Sequence, residues 1–380
     1  MLRLTFPLLA FLSLPLASPA ADIDREKLTK IDGAVEAALK RNDCPGAVVL
    51  VVYGDDVVFR KAYGSRHVVP EKVPMTADAI FDMASLTKPM ATGTSIMLLA
   101  EQGKLAFSDP VAKHWPAFAA NGKDGVTIEH CLLHVSGLTA DNAVADYADG
   151  REKAMARIAA LKLEVPPGTR FKYSDVGFIV LGELVEKIGG KPVDQFAAKH
   201  VFEPLKMKDT TYKLGWHQLP RVAPTGKRAG NIIFGQVHDP RSFALGGIAG
   251  HAGLFSTADD TARYCRMLLR GGELDGVRVL KKETVTWFTE PKEVPGTKDA
   301  KWLRSRGWDV DTSYSAPRGE GFSRGEGFGH TGFTGTSVWV DPKSGTAVIV
   351  LTNRVHPDDK GNVTPLRREI ATIVAAAVKP

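Results

Sequence analysis

Apolar positions recur every three to four residues in IDREKLTKIDGAVEAALKRN, which places Leu28, Ile31, Val35, Ala38 and Leu39 on one side of a helix. That spacing predicts an amphipathic helix packed on a larger body. The period then changes. In PGAVVLVVYGDDVVFRKAYG two β-rich runs flank Gly54, Asp55 and Asp56, predicting a hairpin whose first strand is apolar enough to lie inside a sheet. Near the other end, GTSVWVDPKSGTAVIVLTNRV predicts a second hairpin turning between Asp341 and Gly345, and LRREIATIVAAAV a closing helix. Between these ends the helical period dominates. SLTKPMATGTSIMLLAEQGK predicts a helix stopped at Gly103, and DVGFIVLGELVEKIGG sets Phe178, Leu181, Val185 and Ile188 on one stripe before a Gly-Gly stop. STADDTARYCRMLLRGG offers Thr257 as N-cap, Asp260 in the first turn and another Gly-Gly stop.

Strands at both ends with helices between them predict an α+β fold: one antiparallel sheet flanked by helices and assembled from the two chain ends, with an inserted all-helical lobe. The expected division is a single unit over residues 21–380. Its α/β lobe spans about 21–84 and 245–380, and its helical lobe about 85–244. Gly- and Pro-rich joints such as EVPPGTRF, FALGGIAGHAGLF and SAPRGEGFSRGEGFGHTGFTG are too long for tight turns and are expected to shape a cleft.

The first 20 residues change the picture of where the protein works. MLRLTFPLLAFLSLPLASPAA has a basic start at Arg3, a short apolar run, and small residues Ser18 and Ala20 suited to cleavage. Pro15 and Pro19 fit such a signal better than a stable membrane span. Residues 1–20 are therefore read as a signal peptide, and the remainder as an exported protein, periplasmic or extracellular, with no transmembrane anchor after cleavage. Cys44, Cys131 and Cys265 are too few and too scattered for a disulfide scaffold, so the core must supply the stability. The formal net charge of +6 comes without a long Lys/Arg run or an aromatic-interleaved basic stripe, which leaves no support for a nucleic-acid partner. Oligomeric state is left open.

Candidate chemistry begins at FDMASLTKPM. Residues three apart on a helix share a side, so Lys88 is brought towards the Ser85 hydroxyl at a helix start, where negative charge is favoured. Pro89 fits a first helical turn. The stretch alone equally describes an N-cap serine ahead of a solvated lysine. The leucines of HCLLHVSGL make His130, Cys131 and His134 packing residues, and no metal-ligand spacing accompanies them, so neither metal nor other cofactor is expected. His238 with Asp239 suggests half of a Ser-His-Asp arrangement, but no Gly-x-Ser-x-Gly elbow goes with it. His251, in a Gly-rich segment that would line the cleft, is a candidate substrate contact.

Further along, GTRFKYSDVGF supplies Tyr173 with Asp175, and GFGHTGFTGTSVW supplies His330, Thr331 and Gly332 just before a strand. Ser-x-x-Lys, then Tyr-x-Asn/Asp, then Lys/His-Thr-Gly is the ordered set of the serine β-lactamase and penicillin-binding-protein superfamily. The sequence resembles that family, particularly its class C-like branch of serine hydrolases, which includes cell-wall peptidases or amidases and esterases. The resemblance runs from about Ile31 to the closing helix, through PGAVVLVV, ASLTKPMAT, LLHVSGL, PPGTRFKYSDVGF, ALGGIAGHAGLFST and GHTGFTGTSVWVDP.

The resemblance implies an α/β lobe joined to a helical lobe with the site in the groove between them, and an acyl-enzyme on Ser85. Lys88 and Tyr173 would share the proton, the backbone N–H groups of Ser85 and Phe333 would form the oxyanion hole, and Asp175, His330, Thr331 and Gly332 would meet the substrate, with His251 a candidate contact beside them. Asp175 stands where Asn is usual and His330 where lysine commonly sits. A carboxylate at 175 can still orient Lys88, and is also placed to cap a helix. A largely neutral histidine is a weaker, pH-dependent anchor for a substrate carboxylate, which argues against strong β-lactamase activity. The expected substrate is a small-molecule or peptidoglycan-derived amide or ester, in the manner of a D,D-peptidase or muramyl amidase. A carboxylesterase, a β-lactamase of the same fold and a non-catalytic envelope-binding protein stay open as alternatives.

Overall fold

A computed structural model describes residues 23–297 and 300–378. The expected signal peptide, residues 1–20, lies outside the described residues. Nine strands form one antiparallel sheet in the order Lys292–Thr297, Ala300–Arg304, Asp309–Asp311, Phe328–Thr331, Ser337–Asp341, Thr346–Thr352, Gly46–Tyr53, Asp56–His67, Val73–Pro74. The two chain ends meet at its centre, where Val49 pairs with Val350 and Val51 with Val348. Both expected hairpins form, and their turns touch, with the Gly54 N–H donating to the Gly345 carbonyl at 2.9 Å.

The central strand is apolar on both faces because both are covered. Val48, Leu50 and Val52 enter the larger core, whereas Ala47, Val49 and Val51 enter a second core against the terminal helices. Those helices, Lys30–Lys40 and Thr364–Ala377, contribute Ile31, Val35, Ile370 and Val374. The N-terminal helix is interrupted at Thr29, so Leu28 belongs to a separate turn, Arg25–Leu28. Helix Ala258–Leu269 packs on the opposite face, next to Gly46–Tyr53 and Thr346–Thr352. It is capped as its sequence predicts, the Thr257 hydroxyl accepting from the Asp260 N–H at 3.2 Å.

Between the two ends of the sheet lie Thr94–Glu101, Ile128–Leu132, Arg151–Ala159, Asp175–Gly189 and shorter helices, together with small hairpins of Lys227–Arg228 with Asn231–Ile232 and of Glu273–Leu274 with Val277–Arg278. Asp175–Gly189 ends at Gly190 in the left-handed conformation, φ +75°. The segment after Ser85 is less regular than its apolar period suggests. A 3-10 turn, Ala84–Leu86, leads into a π-type segment, Lys88–Gly93, before the α-helix Thr94–Glu101 begins.

One close approach sets the depth of the later site. A Cβ on Gly250 would lie 2.0 Å from the Phe178 carbonyl oxygen, so only glycine lets the loop carrying His251 lie against helix Asp175–Gly189. The three cysteines are free and buried. No helix among the described residues is long and apolar enough to cross a membrane.

Candidate active site

Ser85 sits on a turn that the surrounding structure holds in an unfavourable conformation. Ala84 has φ +47°, a region that costs a residue with a side chain about 1–3 kcal/mol. The opposing strand edge supplies the restraint: Thr334 Oγ1 donates to the Asp82 carbonyl at 2.7 Å and Thr336 Oγ1 to the Met83 carbonyl at 3.1 Å. Gly332 faces the same turn at close range, where an added Cβ would meet Thr336 Oγ1 at 2.1 Å and the Met83 oxygen at 2.7 Å. Behind Gly332, the buried Arg367 of the closing helix donates from Nη2 to the carbonyls of Gly332 and Thr336, at 3.0 and 2.8 Å. The Ser85 turn and the His330-Thr331-Gly332 strand end are thus positioned together, although they lie some 245 residues apart in sequence.

The Ser85 hydroxyl is no helix cap. Its Oγ accepts from Lys88 Nζ at 3.0 Å, and the same fully buried nitrogen donates to the His251 carbonyl at 3.1 Å and pairs with Asp175 Oδ1 at 2.6 Å. Burial alone would discharge Lys88, but the Asp175 carboxylate and the nearby Tyr173 hydroxyl outweigh it and move its pKa up. Asp175 moves the other way: burial opposes its charge, yet Lys88 and His251 hold its pKa below the ordinary carboxylate value. Asp175 is not the helix cap either, because Ser174 accepts from the Gly177 N–H at 3.0 Å and takes that place.

Tyr173 approaches from the other side. Its ring centroid is 5.0 Å from Lys88 Nζ, and its buried hydroxyl has no hydrogen-bond partner of good geometry. Burial raises its pKa, while the Lys88 charge and the proximity of Ser85 favour the phenolate. His134 stacks on the Tyr173 ring, 4.4 Å between centroids, and accepts from the Ser174 N–H at Nδ1, which fixes the entry into helix Asp175–Gly189. The packing role expected for HCLLHVSGL holds, and its last histidine packs against the site. His130 closes a capping box with Thr127, and Cys131 lies in the core.

A cavity of ≈ 160 Å³ opens on Ser85, lined by Tyr173, Arg304, Asp309, Tyr314, His330, Thr331 and Phe333. A larger depression of ≈ 540 Å³ runs along the closing helix between Glu320 and Ile373, away from Ser85 and Lys88. Of the residues expected to meet substrate, His330 and Thr331 reach the cavity wall, whereas Asp175, Gly332 and His251 lie behind it. His251 is buried and its Nε2 meets Asp239 Oδ1 at 2.9 Å. Asp239 therefore partners His251, and the His238 ring stacks instead on the half-exposed Phe333. Donor atoms of Asp175, Asp239 and His251 fall within 4.8 Å of one another, but the Lys88 ammonium already meets Asp175 there. His330 is driven well below its ordinary pKa by burial and by the Arg304 and Lys88 charges, so it is neutral. Its Nδ1 bonds the Thr331 carbonyl at 2.9 Å, which leaves Nε2 as an acceptor.

The family model described as Beta-lactamase matches residues 31–372. The chain belongs to the beta-lactamase family. Within this family of serine hydrolases it is 30% identical to the N-acetylmuramyl-L-alanine amidase of Bacillus subtilis, over 90% of this chain and 86% of the relative. It is also 30% identical to a Salmonella typhi protein with the provisional name D-alanyl-D-alanine carboxypeptidase, over 93% and 90% of the two chains. The solved structure of a penicillin-binding protein homologue from Caulobacter crescentus superposes with a TM-score of 0.75, at 21% identity, over 94% of this chain and 99% of that one. The family fold accounts for the shared frame of sheet and helices.

Two members of this site, Arg304 and Arg367, carried no recognisable signal in sequence, and a third, Tyr314, carried a weak one, in RGWDVDTSYSAPRG. Arg304 lies in KWLRSRGWDV, which contains no motif, and becomes a cavity residue only because its strand pairs beside Asp309–Asp311. Arg367 is one of two adjacent arginines in an amphipathic closing helix. Tyr314 sits in an irregular loop. The glycine-rich stretch ending in GHTGFTG did hint at the last of these, since a long structured loop beside a motif is a common builder of clefts.

Proposed function

We propose that the chain is an exported serine hydrolase that forms an acyl-enzyme on Ser85 from a peptidoglycan-derived amide, as a muramyl amidase or D,D-peptidase does. The observation that carries the reading is the Ser85 Oγ held by a buried lysine ammonium, with a free tyrosine hydroxyl alongside. The names of the 30%-identical relatives support a cell-wall amide, and a cell-wall substrate agrees with the signal expected in residues 1–20. In this reading the site lies in the groove between an α/β lobe, residues 21–84 and 245–380, and a helical lobe, residues 85–244.

The charges divide the labour. Lys88 donates towards Ser85, Asp175 and the His251 carbonyl, so its three N–H groups are engaged and no lone pair faces the serine. The base is then Tyr173 Oη, which takes the proton as phenolate against the burial that raises its pKa, with the Lys88 charge as the counterweight. As Ser85 Oγ attacks the substrate carbonyl carbon, its proton passes to Tyr173 Oη. The oxygen that gains charge is met by the backbone N–H groups of Ser85 and Phe333. Collapse breaks the C–N bond, Tyr173 returns the proton to the leaving amine, and water repeats the sequence to release the acid. His330 and Thr331 line the path of the substrate. Asp175 and His251 keep Lys88 in place.

The test is turnover of purified protein on a muramyl-L-alanyl peptide, a D-alanyl-D-alanine peptide, a β-lactam and a simple ester. Hydrolysis of either peptide by the native protein and none by Ser85→Ala is the expected result. Equal turnover by both proteins, or binding of muropeptides without any product, would overturn the reading.

A further inference from the structure

Asp82 closes the short strand Phe81–Asp82, three residues ahead of Ser85, and its side chain is buried. Oδ1 accepts from the Ala84 N–H at 2.8 Å and Oδ2 from the His238 N–H at 2.6 Å. A carboxylate buried against two backbone amides, without an ion pair among the described residues, is an expensive way to fill a core. The two amides show what it achieves, because they belong to the two supports of the Ser85–Lys88 contact. Ala84 has the φ of +47° that sets Ser85 on its turn. His238 leads directly into Asp239, whose Oδ1 meets His251 Nε2 at 2.9 Å, and the His251 carbonyl accepts from Lys88 Nζ at 3.1 Å. One carboxylate thus ties the turn of the serine to the chain that seats the lysine. Asparagine has the same shape but a single acceptor oxygen, so it would serve one amide and turn an NH2 group towards the other.

We infer that Asp82 is a positioning residue for acylation, its two oxygens holding the Ser85 turn and the His238 loop in the register at which Ser85 Oγ meets Lys88 Nζ. The inference rests on the acyl-enzyme reading of Ser85 and adds the group that keeps the nucleophile in place. The charge on Asp82 is what allows both bonds at once, and its surroundings set when that charge is present. Burial pushes the carboxyl up to about 6, with Asp239 adding to the rise and the His238 and Ala84 amides and the Arg228 charge opposing it. The His238 ring, stacked on Phe333, is held below its usual pKa by burial, and Phe255 and Thr334, which face Asp82 from the neighbouring strands, carry no charge. Above this pH both oxygens accept. Below it one oxygen carries a proton, and the native side chain becomes the counterpart of asparagine, with one acceptor and one donor.

The experiment follows labelling of Ser85 by a fluorophosphonate probe in the full chain, in Asp82→Asn and in Asp82→Ser, from about pH 5 to about pH 8. At the alkaline end the second-order labelling rate should be about 10- to 100-fold lower in Asp82→Asn. Asp82→Ser, with one acceptor on a shorter side chain, should lose at least as much and serves if the asparagine variant does not fold. Towards the acid end the ratio of native to Asp82→Asn rates should shrink towards one, because Tyr173 and Lys88 titrate in both proteins and cancel. A ratio near one at the alkaline end, or a ratio that does not change with pH, would overturn the inference. Amide hydrogen exchange in Ser85→Ala protein, with and without Asp82→Asn, separates the two claims. The Ala84 or the His238 amide should exchange about 10-fold faster or more without the carboxylate, while amides of Gly46–Tyr53 keep their rates. That result supports the role of Asp82 even if the native chain takes no probe, an outcome that counts against the acyl-enzyme alone. Unchanged exchange at both amides overturns it.

Discussion

The strand Gly46–Tyr53 and the wall behind Ser85 are both largely buried, and they differ in what fills them. The strand sends Val48, Leu50 and Val52 into one core and Ala47, Val49 and Val51 into the other, with no charged side chain along its length. The wall holds Lys88, Asp175 and Arg304, charged, beside His330, neutral. Apolar burial at about 25 cal/mol per Å² needs no geometry, whereas each buried charge must find its partner or cost several kcal/mol. The sheet is therefore the part that stabilises, and the wall is the part that the sheet must hold in place. Arg367 makes the connection, reaching from a helix of the apolar layer to the carbonyls of Gly332 and Thr336.

This contrast can be broken by changes that ought to affect one region and not the other. Ser85→Ala should lower kcat by about four orders of magnitude or more while leaving the thermal midpoint within a few degrees, as measured by steady-state kinetics and calorimetry. A comparable loss of stability would mean that the serine is structural. Gly332→Ala joins the two regions, because its Cβ would collide with Thr336 Oγ1 and the Met83 carbonyl. The turn under Ser85 must move, and kcat/KM should drop by about 100-fold, the scale of a misplacement near 1 Å. Retention of full activity would show that the strand end does not set the serine's position.

Asp175→Asn sharpens the comparison within the wall. The carboxylate raises the pKa of both Lys88 and Tyr173, favouring the ammonium in the first and the neutral phenol in the second. Activity requires Tyr173 to lose its proton and Lys88 to keep its own. The rising limb of the kcat/KM profile therefore reports Tyr173 and the falling limb Lys88, and removal of the carboxylate should move both limbs to lower pH, by about one unit. A shift of one limb only, or of the two in opposite directions, would assign the roles differently. The smallest effect on function belongs to the sheet: Val49→Ala should cost about 2 kcal/mol in denaturant unfolding and leave KM unchanged.

The same contrast explains what could be read from the sequence. Both hairpins, the Thr257 cap and the stop at Gly190 follow from local period and backbone chemistry, and the structure places them where the pattern does. Ser85, Lys88, Tyr173 and His330 were recognisable because they travel in motifs. The irregular turns from Ala84 to Gly93 were not, since an apolar period reads as α-helix whatever the hydrogen-bond pattern. Nor were the depths: Asp175 as a partner of Lys88 with Ser174 as the cap, and His251 behind the lysine instead of in the cavity, depend on the Gly250 approach to Phe178. Arg304 and Arg367 were hidden because nothing near them in sequence distinguishes a buried cation from a solvated one.

Everything proposed for the wall depends on Ser85 becoming covalently acylated. The most direct measurement is peptide mass spectrometry after incubation of the native protein with a fluorophosphonate probe or a labelled penicillin. The expected result is a single probe mass on the peptide carrying Ser85, absent in Ser85→Ala. No adduct at Ser85, together with undiminished turnover by the Ser85→Ala protein, would contradict it.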